Sequence, residues 1–283
     1  MIEVKVFGGL GNQMFQYAFM LYLQEKNADV KLNISDYQVH EHHYGFELEK
    51  VFGISGPYTK EPCSFTINQN SIFIRSVQKL FHCTIGNSKE VKEYQGHMII
   101  NKDTFVEDVF FNGFWQDVRY IKNHEKNLKE AFQFAQPLGD KNQQAFDSWK
   151  NRETVSVHIR RGDYMNNSSL GGICDMEYYK SAVDYIKENI ENPLFVFFSD
   201  DIPWCKEAFA DLKAEFVNWN QGQDSYRDMQ MMSLCKHNII ANSTFSWWGA
   251  FLNENPDKKV IMPKKWFQKT EVNPLAMEGW ILL

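Results

Sequence analysis

From residue 154 to residue 262 the chain alternates between short apolar runs and longer segments with helical periodicity, which leaves few folds open. The apolar runs lie at 154–159, 194–198, 215–218, 238–241 and 259–262, and the helical segments at 176–191, 204–212, 225–236 and 245–253. The run at 194–198, LFVFF, is apolar at every position, as a strand covered on both faces requires. The alternation predicts a doubly wound α/β sheet of parallel strands. Such sheets hold ligands beyond the carboxyl ends of their strands.

Three of those strand ends carry polar groups. The first is VSVHIRRGDY at 155–164. Two arginines after a buried strand call for an anion, most often a phosphate, although a structural Arg–Asp pair closing the strand would give the same letters. Strand side chains alternate between faces, so Arg160 shares a face with His158 and Arg161 takes the other. Arg160 is therefore the candidate for a pyrophosphate, and Arg161 the candidate for a structural role. The second end is Ser199-Asp200-Asp201. Paired acids suggest a metal, but metal-dependent sugar transferases carry theirs one residue apart and these are adjacent. A carboxylate can instead accept from the N1–H and N2–H₂ edge of guanine, a donor pair adenine lacks; Asp201 capping the next helix is the competing reading. The third end runs Asn242, Ser243, Thr244, Phe245 into a helix, where free amides and the dipole favour an anion and where Ser243 or Thr244 can equally serve as a cap. Trp247 and Trp248 read as core residues or as stacking platforms.

The first half opens with a strand at 2–7, the turn GGLGNQ, and a helix at 14–24. Gly9 and Gly11 allow close backbone approach to a ligand or simply serve a tight turn, and Asn12 and Gln13 offer amides to sugar hydroxyls or a phosphate oxygen. The dinucleotide pattern is incomplete, since Met14 replaces its third glycine, and no GKS or GKT marks a phosphate loop. A second strand is expected at 29–34 and a helical turn at 46–52. His40, Glu41, His42 and His43 raise a metal question, but three histidines this close rarely surround one ion, and a polar loop lining a groove is the expectation. Residues 56–96 say least; 71–81 has helical spacing through Ile72, Val77, Leu80 and Phe81. A strand at 108–116 follows, then a helix capped by Asp117 and running to about 134, and another at 141–150. The domain boundary is placed near 150, giving domains 1–150 and 151–265, with 266–283 packing back on the first.

A net charge of −6 argues against non-specific nucleic-acid binding. Five scattered cysteines with no CxxC point to reduced thiols in a cytosol rather than disulfides or zinc. The start of the chain lacks signal-peptide character, and no apolar run approaches the roughly 20 residues of a membrane span. The sequons at Asn166, Asn167 and Asn242 are then chance matches.

Taken together, GGLGNQMFQYAF, HIRRGDY, FSDD and NSTFSWWGAFLN, in this order between residues 7 and 253, resemble the α-1,2-fucosyltransferases of glycosyltransferase family 11. The resemblance implies a GT-B fold, two Rossmann-like domains facing across a cleft. It implies GDP-β-L-fucose as donor, bound by the second domain, and a galactose-terminated glycan as acceptor, bound by the first. Transfer would be metal-independent and inverting, with no cofactor. Arg160 would contact phosphate, His158 and an acid of Asp200-Asp201 would lie near guanine, and Asn242 to Phe245 would line the pocket. The acceptor O2 would attack fucose C1, with Asp163 or Glu177 as base; Asp163 bracing Arg161 is the alternative. The membrane anchor of animal members is missing, so a cytoplasmic bacterial enzyme building surface glycans is expected, with peripheral membrane association through a lipid-linked acceptor as a further option. A non-catalytic GDP-sugar or glycan-binding module and a protein O-fucosyltransferase are the competing functions.

Overall fold

A computed structural model describes residues 1–25, 29–39, 43–63, 89–93 and 109–283. The expected helix at 71–81 and residues 40–42 of the histidine run lie outside these. The chain forms two compact units, residues 1–49 with 54–128, and residues 50–53 with 129–283. Each is built on a parallel sheet.

The first unit contains β1 (Ile2–Lys5), α1 (Leu10–Gln24), β2 (Val30–Asn33), α2 (Asp36–Val39), the start of α3 (Leu48–Phe52), β3 (Tyr58–Thr59), β4 (Lys89–Glu93) and β5 (Val109–Gly113), with its strands ordered β3-β2-β1-β5-β4. Ile2 and Val4 of β1 are buried, and Met14, Phe15, Ala18 and Phe19 of α1 cover the sheet. Glu3 is also buried, and its carboxylate accepts the Asn33 amide at 2.6 Å. The first helix starts at Leu10, earlier than the expected residue 14. Gly9 is its N-cap, and the Gly9 carbonyl accepts from the Asn12 and Gln13 amides, so the glycine turn is itself the first turn of helix. Asp117 does cap, accepting from the Arg119 amide at 2.9 Å, but only a 3₁₀ turn, Val118–Tyr120. Tyr120 is drawn into a ring cluster with Phe19 and Trp115, and a separate helix, α4 (Glu125–Ala131), follows. β4, KEVKE, lacks any apolar run and is an edge strand blunted by charge.

The second unit contains α5 (Asp140–Trp149), β6 (Thr154–Ile159), α6 (Met176–Asn189), β7 (Leu194–Ser199), α7 (Ile202–Ala208), β8 (Ala214–Val217), α8 (Tyr226–Leu234), β9 (His237–Ile239), α9 (Thr244–Leu252), β10 (Val260–Met262) and β11 (Ile281–Leu282). Its sheet is ordered β11-β10-β9-β6-β7-β8, all parallel. Val155, Val157, Phe195 and Phe197 pack on one face with α6, while Leu194, Val196 and Phe198 pack on the other with α8. Leu138 and Trp149 belong to that second core, so residues 129–149 sit with the second unit and not with the first, as a boundary near 150 had it. The C-terminal stretch also differs from expectation. β11 pairs with β10, Leu275 accepts the Trp247 indole N–H at 2.9 Å, and Trp280 lies 5.4 Å from the Trp247 ring, so 266–283 closes the second unit. Trp247 and Trp248 are fully buried, which makes them core.

Both sheets reverse their winding once. In the second, β7 and β8 lie to one side of β6, and β9 to β11 to the other, so the switch point falls between β6 and β9. In the first it falls between β1 and β5. These are the places where a doubly wound sheet opens a crevice for ligand.

Candidate functional site

The register pairs Ile159 with Ser199 and Val157 with Ile239, so the loops after β6, β7 and β9 leave the second sheet side by side. Arg160 Nε donates to Asp163 Oδ1 at 2.8 Å and lies 3.4 Å from Asp200 Oδ2. Both acids meet the guanidinium at Nε, which leaves the Nη pair outside these contacts. Burial works to lower the Arg160 pKa, but the two carboxylates outweigh it and hold it above the ordinary value. Arg161 turns to other partners. Its Nε donates to Asp201 Oδ2 at 3.1 Å, and its guanidinium stacks 4.0 Å over the Trp204 ring. Asp163 thus braces Arg160, not Arg161.

The acids of the second loop are occupied by protein donors. Asp200 accepts the backbone amides of Arg161 at 2.9 Å and Gly162 at 3.1 Å. Asp201 caps α7, accepting from the Trp204 amide at 3.2 Å, and takes Arg161 with its other oxygen. All four oxygens therefore already hold a donor, and neither acid presents the open pair of acceptors that the guanine reading asked for.

Below this loop, His158 is buried, its Nδ1 has no hydrogen-bond partner, and its ring lies 6.0 Å from Phe245. Burial, then the neighbouring Arg160 charge, pushes its pKa down to about 3, so the imidazole is neutral at working pH. Tyr179 hydroxyl donates to the His158 carbonyl at 3.0 Å and Tyr178 hydroxyl to that of Ile240 at 2.6 Å, fixing the ends of β6 and β9 to the first turn of α6. Glu177, in that same turn, is exposed.

In the third loop Asn242 is a buried knot. Its amide donates to the carbonyls of Leu170 at 3.0 Å and Trp266 at 3.3 Å, its Oδ1 accepts from Cys174 Sγ at 3.5 Å, and its carbonyl accepts the Tyr164 hydroxyl at 3.3 Å. Tyr164 so spans the β6–β9 switch point, with its ring 5.8 Å beneath the Arg160 guanidinium, and burial pushes its pKa up to about 12. Ser243 is the N-cap of α9 and does not cap through its side chain. Thr244 and Phe245, both half-buried, form the first turn.

Sequence reasoning missed one group here. Asp228, in the first turn of α8, accepts the Asn220 amide at 2.8 Å through Oδ1, and burial pushes its pKa up to about 7. Asn220 also pairs with Asn142, which accepts the Trp219 indole N–H at 2.7 Å. An aspartate on a polar helix turn gives no sign of burial in the sequence; the asparagine-tryptophan-asparagine run at 218–220 just after a strand was the available hint.

The mouth of the first sheet is built differently. Gly8 takes a φ of +80°, and a side chain there would meet Asn12 Nδ2 at 2.7 Å. Asn12 Oδ1 accepts the Gln116 amide at 3.0 Å across the β1–β5 switch point. Gln13 is fully buried; its amide donates to the carbonyls of Gly8 and Gly45 and its Oε1 accepts the Glu47 amide at 2.8 Å, so it ties the turn to the 45–47 segment. The Tyr37 hydroxyl donates to the Gly8 carbonyl at 2.5 Å. Gly9 packs against the His43 ring, and Gly11 is buried within the first turn. Among the described residues no group of three side chains is arranged to hold a metal, and no helix is long and apolar enough to cross a membrane.

Comparison with known proteins bears on the family and the fold. The model of Glycosyl transferase family 11 matches residues 1–282. An alpha-1,2-colitosyltransferase of Escherichia coli is 35% identical over 99% of this chain and 98% of its own length. The galactoside 2-alpha-L-fucosyltransferase Sec1 of Mus musculus is 25% identical over 89% of this chain and 64% of its own length. Among solved structures, the NodZ alpha-1,6-fucosyltransferase soaked with GDP-fucose covers 89% of this chain and 92% of its own with a TM-score of 0.55; at 12% identity it supports the GT-B fold and no more.

Proposed function

The chain belongs to glycosyltransferase family 11, and we propose that it transfers L-fucose from GDP-β-L-fucose to O2 of a terminal galactose, with inversion and without a metal. The observation that carries the reading is Arg160, held at Nε by two carboxylates at the β6–β9 switch point so that its Nη pair is left for a diphosphate. In this account the acceptor hydroxyl attacks fucose C1 as GDP leaves from the opposite face. Negative charge grows on the β-phosphate, and Arg160 with the first-turn amides of α9 stabilises it from fixed positions. His158, neutral and with Nδ1 unpartnered, suits the base rather than the phosphates. Asp200 and Asp201 brace the loops, which makes Asp228, with one oxygen outside its bond to Asn220, the better carboxylate for guanine. Asp163, against Arg160, is favoured over the exposed Glu177 as the group that meets the incoming hydroxyl. At the mouth of the first sheet the half-buried Gly9 and Asn12 would serve the acceptor sugar, while buried Gly11 and Gln13 hold the turn in place, and a lipid-linked acceptor would bring the protein to a membrane surface.

The test is release of GDP from GDP-fucose and a β-galactoside in the presence of a chelator. Turnover that needs a divalent metal, together with full activity of Arg160→Ala, would overturn the reading. GDP binding without turnover over a panel of galactosides would leave a binding module instead. One second reading has support of its own. The 35% identity to a colitosyltransferase over nearly the whole chain favours colitose as an alternative donor sugar, and faster turnover of nucleotide-linked colitose than of GDP-fucose would select it.

A further inference from the structure

We propose that Asp200 is a positioning residue for Arg160, acting through the Arg161–Gly162 backbone, and that position 162 is glycine so that this carboxylate can enter. The inference rests on Arg160 holding the diphosphate. Ile159 and Ser199 are register partners, so the residues just beyond them run side by side and Asp200 reaches across to the neighbouring loop. There its oxygens accept two consecutive amides, at 2.9 and 3.1 Å, which fixes the peptide between Arg161 and Gly162. The oxygen that takes the Gly162 amide also lies 3.4 Å from Arg160 Nε. One carboxylate therefore sets both the backbone that carries Arg160 and the orientation of its guanidinium. An arginine ordered in advance loses less side-chain freedom when an anion arrives.

Gly162 provides an independent handle. A Cβ built there would lie 2.9 Å from Asp200 Oδ2 and 3.6 Å from its Cγ, and it would meet no backbone. The backbone angle does not demand glycine, so alanine displaces the end of one flexible side chain and leaves the fold alone. Asp200→Asn acts on the same contact differently, because its NH₂ would face a backbone N–H.

GDP titrated calorimetrically into the full-length protein, with melting temperatures in parallel, tests this. Gly162→Ala and Asp200→Asn should each weaken GDP binding about tenfold, the range of a coupled contact, and raise the donor KM alike, with an unchanged melting temperature. Arg160→Ala should weaken binding further, and Asp200→Asn should add nothing in its background. Wild-type GDP affinity in both Gly162→Ala and Asp200→Asn, beside a weakened Arg160→Ala, would overturn this proposal alone. An equal loss from Asp200→Asn with or without Arg160 would overturn it too, since Asp200 would then touch the nucleotide itself. Wild-type affinity in Arg160→Ala would remove the diphosphate reading and this inference with it. If Asp200→Asn does not fold, Gly162→Ala decides.

Discussion

The two switch-point mouths share a topology and almost no chemistry. At β1–β5 the glycine turn itself meets amides, carbonyls and rings, with Asn12 on Gln116, Gln13 on Gly8, Gly45 and Glu47, and Tyr37 on Gly8, while the ions at its flanks, Lys5 with Asp36 and Arg119 with Asp117, pair with each other. At β6–β9 the partners are ions: Arg160 between Asp163 and Asp200, and Arg161 between Asp201 and the Trp204 ring. An amide-lined turn of this kind suits hydroxyl groups, which exchange one set of hydrogen bonds for another at modest net cost. A cationic group with its charge partly balanced suits a diphosphate. The same crevice, repeated within one chain, is thus assigned its ligand by side chains and not by fold.

If that contrast holds, substitutions in the second mouth should cost turnover and those in the first should cost stability. The largest effect is expected for Arg160→Ala, a loss of about 10²–10³ in kcat on the scale of one preorganised donor, with melting temperature unchanged. Asp228→Asn should weaken GDP binding, as loss of a guanine contact requires, and should also act on stability through pH. Its carboxyl is raised from 3.8 to about 7, so the folded state keeps a proton that the unfolded state has released. The stability this group contributes is full below pH 3.8 and is lost as pH rises through about 7. The asparagine variant should therefore be more stable than wild type at pH 8, by about 2–4 kcal/mol, and equal to it near pH 4, as denaturant titrations at the two pH values would read.

In the first mouth, Gln13→Ala removes a buried amide that holds three backbone groups and should cost about 2–3 kcal/mol of unfolding free energy. A Gln13→Ala protein that lost GDP affinity while keeping its stability would break the contrast. The smallest effect separates the candidate bases. Asp163→Asn should lower kcat about 10²-fold, the low end of general-base contributions, whereas Glu177→Gln should stay near wild type.

Much of this is legible in the sequence. The strict alternation from 154 to 262 carries the parallel sheet, and the two-residue spacing of His158 and Arg160 places them on one side of a strand end. What was hidden depends on neighbours distant in sequence. Asp200 looks like a ligand group in its own loop and becomes a brace only because β6 lies beside β7 in register. β3 and β11 are two residues each and carry no periodicity to read. The start of α1 at Leu10 is hidden because glycines weaken helical propensity, although Gly9 is the residue that caps it. The setting of Asp228 depends on Asn220, which in turn pairs with Asn142, 78 residues away.

The most direct trial is a crystal structure with GDP bound. The diphosphate oxygens should lie about 3 Å from the Arg160 Nη atoms, beside the first turn of α9. A nucleotide lodged at another strand end, with Arg160 still held by Asp163 and Asp200 and distant from any phosphate, would contradict the account.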